Sequence, residues 1–145
     1  MAEATNTTNP VVLRELAERC EWDDASRELD AEIAVALGHE INWRQHNYTM
    51  TQFPAISWKE PHPYAGMREP CPQWTSSIDA AVTLMPEGWL LITLSDIAGD
   101  GLSFCKLANT ESPAKEAISF GCKTRALDVC AAALRARAAL TDGDA

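Results

Sequence analysis

Apolar positions along this chain repeat at two different spacings, and the changes of spacing mark out its elements. Leu13, Leu16, Ala17 and Cys20 fall at i, i+3, i+4 and i+7, which places them on one helical face. Asn9 is a natural cap for that helix and Pro10 suits its first turn. Asp23, Asp24 and Ser26 interrupt the pattern and offer a second cap. Leu29, Ile33, Ala36 and Leu37 then form another apolar face, closed by Gly38 where a left-handed residue is needed. Two short helices therefore open the protein.

Helical spacing is lost from His39 to Trp74. Ile41/Trp43 and Tyr48/Met50 alternate as in half-buried strands, with Arg44 to Asn47 as a hairpin tip. Phe53, Ile56 and Trp58 are further strand candidates. Pro61, Pro63, Pro70 and Pro72 predict an ordered surface loop, since Tyr64, Met67 and Trp74 lie among them. Helical spacing returns at Ile78, Ala81, Val82 and Met85, behind Ser76 and Asp79 at capping-box separation.

Pro86-Glu87-Gly88 ends that helix and leads into a strand over Trp89 to Leu94. A turn at Ala98 to Gly101 returns the chain through Leu102 to Leu107, and Ala117 to Phe120 adds a third strand. Thr124 caps the last helix. Its inward stripe is Leu127, Cys130, Ala131, Leu134 and Ala138, with Arg135 and Arg137 placed near the negative end of the dipole. Ala126, Val129 and Ala133 make a second, small-residue face that one chain alone would leave partly exposed, which predicts a symmetric homo-oligomer, at least a dimer.

The 145 residues suit one domain over 9–140, with a frayed polar start at 1–8, a loose acidic tail at 141–145 and a Pro- and aromatic-rich insertion at about 39–75. Hydrophobic residues make up 46% and charged residues 23%, a balance that supports a packed core. No apolar run approaches the roughly 20 residues of a membrane span. The start MAEATNTTNP lacks the basic-then-apolar order of a secretory signal, so a cytosolic location is expected.

Charge sharpens the picture. The net charge is −9, and residues 1 to 38 hold nine acids against three bases, whereas residues 39 to 75 hold three of each. An acidic chain without a basic stripe is poorly suited to phosphate-backbone binding, so direct nucleic-acid binding is not expected. Glu15, Glu18, Glu28 and Glu32 line the outer faces of the first two helices.

Candidate chemistry is sparse. Cys20, Cys71, Cys105, Cys122 and Cys130 are odd in number and lack CxxC spacing, which argues against a disulfide framework or a zinc site. Cys20 and Cys130 sit on apolar helical faces and read as core. His39, His46 and His62 match no helical metal motif, and no nucleophile elbow or Cys/His signature is present, so neither an enzyme nor a cofactor is expected. Gly99-Asp100-Gly101 precedes a strand rather than a helix, which makes it a hairpin turn.

The middle segment concentrates aromatic and basic side chains. Arg44, His46, Tyr48, Trp58, Lys59, Tyr64, Arg68 and Trp74 are the residue types of a pocket for an anionic, base-containing ligand, because aromatic faces stack on bases and cations hold phosphates. The same aromatics would equally cover the open face of a small sheet.

Three stretches, Arg27 to Gly38 (RELDAEIAVALG), Thr75 to Trp89 (TSSIDAAVTLMPEGW) and Thr124 to Leu140 (TRALDVCAAALRARAAL), resemble in their order the phage ABA sandwich domain family. The resemblance covers core and turn positions, is weakest between His39 and Trp74, and carries no catalytic motif. It implies an α/β (α+β sandwich) fold, a small, mostly antiparallel sheet of about four or five strands with helices packed on it. It also implies a phage or prophage origin, for a family whose biochemical role is largely unassigned. Together with the aromatic and basic middle segment, that origin leads to the expectation of a non-enzymatic accessory protein of the host cytoplasm, of a counter-defence kind, that sequesters a small nucleotide-like anion. The alternatives are an acidic decoy that binds a basic host protein, or an oligomeric phage protein with no ligand.

Overall fold

The computed structural model of the protein describes residues 9–45, 50–57, 68–97, 102–112 and 115–141. Helix α1 (Pro10–Trp22) starts where Asn9 accepts a hydrogen bond from the Val11 amide at 2.9 Å. Helix α2 (Arg27–Ala36) starts where Ser26 accepts from the Leu29 amide at 3.0 Å. Gly38 ends it at φ 95°, and His39 N–H reaches back to the Ala34 carbonyl. Both apolar stripes read from spacing are buried, apart from Leu37, which is half-buried.

The described strands form two antiparallel sheets of three rather than one sheet. The first pairs β1 (Glu40–Gln45) with β2 (Gln52–Ser57) and β2 with β3 (Arg68–Pro70). The second pairs β4 (Trp89–Ile97), β5 (Leu102–Asn109) and β6 (Glu116–Phe120) in chain order. The α+β class expected from the sequence holds.

Several local readings need correction. Met50 is not a strand residue but an exposed one at φ 60°, and β2 starts two residues later. Part of the proline-rich loop pairs as β3, where Pro70 is tolerated because the strand is short and lies at the sheet edge. Helix α3 (Ile78–Ala81) is capped by Ser77 rather than Ser76, and Val82–Leu84 continues as a 3₁₀ turn. That tightening rotates Ala81 and Leu84 inward and leaves Ile78 and Val82 exposed. The expected turn at Ala98 to Gly101 lies outside the described residues.

Helix α4 (Arg125–Thr141) is the centre of the molecule. Thr124 caps it by accepting from the Leu127 amide at 3.0 Å. The helix packs against α1, α3 and all three strands of the second sheet. Its alanines let neighbours approach on every side, so Ala126, Val129 and Ala133 are buried within one chain. The second face therefore does not argue for self-association.

Arg135 and Arg137 also differ from expectation. They serve tertiary contacts rather than the helix dipole: Arg135 bonds Glu21 and the Ile118 carbonyl, and Arg137 Nε donates to the Leu84 carbonyl at 2.6 Å.

Candidate functional site

A groove of about 630 Å³ opens between α1, α2 and β1. Val12 and Leu16 come from successive turns of α1, Val35 and Ala36 from the end of α2, and Ile41 and Trp43 from one face of β1. Val12, Val35 and Trp43 are 38%, 57% and 45% exposed, a concentration of accessible apolar surface that folding alone does not require. Its charged lining residues are Glu28 and Glu32, one helical turn apart on α2. Arg19 reaches Glu32 from outside the lining and also bonds Asp23 through Nε at 3.1 Å. The Glu32 bond, then the Asp23 bond, holds the guanidinium pKa above its usual value.

The middle-segment candidates fare differently. Arg44 is exposed on the opposite face of the first sheet, in a cavity of about 350 Å³ that it shares with Phe53, Ala55, Glu69 and Pro70. Phe53 is its cross-strand partner. Trp74 is 4% exposed and belongs to the core; its Nε1 donates to Thr83 at 3.2 Å and its carbonyl accepts from Cys130. Arg68 is placed by its backbone alone, opposite Ser57 at the start of β3. His46, Tyr48, Trp58, Lys59 and Tyr64 lie outside the described residues. The structure thus brings Arg44 to an aromatic neighbour but sets a carboxylate in the same cavity.

Sequence reasoning found the acids of the groove and missed its apolar walls. The available signal was Val12 and Val35, which fall off the buried stripes of their own helices and so had no core to enter.

Other polar groups are structural. Asp30 is buried, accepts from the Thr75 amide at 2.9 Å and Thr75 Oγ1 at 2.8 Å, and pairs with Arg27 at 2.7 Å. This ties α2 to the turn ahead of α3. Asp128 is likewise buried and accepts from Ser119, which joins α4 to β6.

All five thiols are buried. Burial pushes Cys71 and Cys105 up to about 12, with Asp30 adding to the first and Asp128 to the second. Cys122 is raised by burial and then by its bond to Asp128, and Cys130 by its bond to Cys20 and then by burial. Cys71, Cys105, Cys122 and Cys130 are therefore protonated at neutral pH and poorly nucleophilic.

Among the described residues no group of His, Cys, Asp or Glu could hold a metal ion, and no helix is long and apolar enough to cross a membrane. Compared with protein-family models, curated proteins and solved structures, the chain finds no match.

Proposed function

We propose that this protein is a non-enzymatic binding protein that captures a basic segment of a protein partner in the groove between α1, α2 and β1. The observation that carries this reading is the lining itself: apolar walls rimmed by Glu28 and Glu32. Apolar contact supplies affinity, and Glu28, beside a Glu32 already bonded to Arg19, favours cationic partners. Glu15 and Glu18, exposed on α1, extend the acidic field that steers such a partner inward.

The resemblance of the helical segments to phage ABA sandwich domains supports placing this activity in a phage or prophage accessory protein that acts as a decoy for a basic host protein. The nucleotide-sequestering reading retains Arg44 beside Phe53 as its support. Glu69 in the same cavity opposes a phosphate there.

The test is calorimetric titration with a lysine-containing amphipathic peptide, a glutamate-substituted copy and a panel of linear and cyclic nucleotides. The lysine peptide should bind, weaken as salt rises, and lose at least about tenfold in affinity to a Glu28→Lys/Glu32→Lys variant. Binding of a nucleotide, with none of the peptide, would overturn the groove reading.

A further inference from the structure

Among the described residues each sheet has two edge strands, and three of these four edges are blocked in ways that proteins use to prevent unwanted pairing. β3 is only three residues long and ends in Pro70. β4 is broken by a register shift between Leu91 and Thr93. β6 is gripped by Arg135, which donates to the Ile118 carbonyl at 2.7 Å. β1 is different: it pairs with β2 in unbroken register over six residues and contains neither proline nor bulge.

Which way the backbone of β1 points follows from one hydrogen bond. In an antiparallel ladder a residue's N–H and C=O point to the same side, and the side alternates along the strand. The Pro54 carbonyl accepts from the Cys71 amide at 2.9 Å, so Pro54 and Ile56 face the β3 side, while Phe53, Ala55 and Ser57 face β1. Their register partners Arg44, Asn42 and Glu40 therefore bond β2. Ile41, Trp43 and Gln45 direct their N–H and C=O groups to the open edge, and no backbone partner for them occurs among the described residues.

Two of those three residues are also the ones whose side chains line the groove. A strand added beside β1 would bond Ile41 and Trp43 through the backbone. It would also continue the face they present, setting its own alternate side chains against Val12 and Leu16 across the groove.

We infer that the groove binds its partner by strand addition: an extended, basic segment with alternating apolar residues pairs with the free edge of β1. This rests on the groove reading above and adds the backbone mode of recognition. Lysines or arginines that alternate with the apolar residues fall on the face of β1 that carries the exposed Glu40, while Glu28 and Glu32 on the groove side add a longer-range attraction for a cationic segment. A second copy is a poor occupant, because each copy carries a net charge of −9.

The probe is a short alternating Lys–Val peptide, used with the full chain. Two copies are N-methylated on every second residue, in one register or the other, and a helical Lys–Leu peptide of equal charge serves as the contrast. The plain peptide should bind. One methylated register should lose at least about tenfold, and the other should stay within about threefold. Hydrogen exchange should slow at the Ile41, Trp43 and Gln45 amides and remain unchanged at Asn42 and Arg44.

Equal binding by both methylated registers overturns strand addition. Binding of the helical peptide, without protection of those three amides, overturns it while the groove reading stands. Binding of neither peptide removes the groove reading as well. A dimer that protects the same amides without peptide also overturns the inference, because a second copy would then hold the edge.

Discussion

Arg135 grips Glu21 through two parallel bonds, Nη1 to Oε2 and Nη2 to Oε1, each 2.7 Å long, across 114 residues of chain. The same guanidinium donates to the Ile118 carbonyl, so one side chain of α4 joins the end of α1 to an edge of the second sheet. Both side chains are largely shielded, at 29% and 20% exposure, and a forked arginine–carboxylate pair is worth more in that setting than a surface pair. Arg135→Ala leaves a carboxylate and a carbonyl short of donors and should cost about 2–3 kcal/mol in urea denaturation. Lys123 and Asp24 make the control: that pair is solvent-exposed, and Lys123→Ala should change stability by no more than about 1 kcal/mol.

Leu134 lies fully buried within α4, where the helix packs on its neighbours from all sides. Leu134→Ala should cost about 2–5 kcal/mol, because the surrounding alanines have little side chain with which to fill the space. A melting temperature within a degree of the unmodified protein would contradict the central position of this helix.

The two tryptophans of the middle segment that the structure describes should behave oppositely. Trp74→Ala removes a core ring and the bond to Thr83, and should cost about 3–5 kcal/mol. Trp43→Ala acts at a half-exposed position, so it should leave the melting temperature nearly unchanged while weakening capture of the Lys–Val peptide. Denaturation and titration of the two variants side by side separate core from site.

Stability should fall in alkali through the thiols. Cys71 and Cys105 move from an ordinary value of 9.0 up to about 12 in the folded protein, chiefly by burial. A raised folded pKa means that the fold holds the proton more tightly than the unfolded chain. The stabilisation is therefore complete below pH 9 and is lost as pH climbs towards 12. Each thiol should contribute a slope of about 1.4 kcal/mol per pH unit across that window. Cys71→Ala and Cys105→Ala should flatten the decline seen in denaturation curves, and thiol reagents at pH 8 should modify neither residue before unfolding.

The helices and their ends were legible because their determinants are local. Asn9, Ser26 and Thr124 cap through bonds to amides two or three residues away, and the stripes of α1, α2 and α4 follow from helical period alone. The acids of the groove were legible too, as Glu28 and Glu32 on the outer face of α2.

What only the tertiary structure decided involves partners distant in sequence. The alanine face of α4 became core because α1, α3 and the second sheet surround it, and no property of the helix itself announces how many neighbours it will have. Trp74 became a core residue through contacts with Thr83 and Cys130, though its composition-matched neighbours had suggested a pocket. The groove exists because α1, α2 and β1 leave space between them, and among the described residues β1 has an open edge because β2 takes only one of its sides. Periodicity fixes which residues share a face within one element, whereas a cavity or a free edge is set by which elements meet, and that depends on long-range packing.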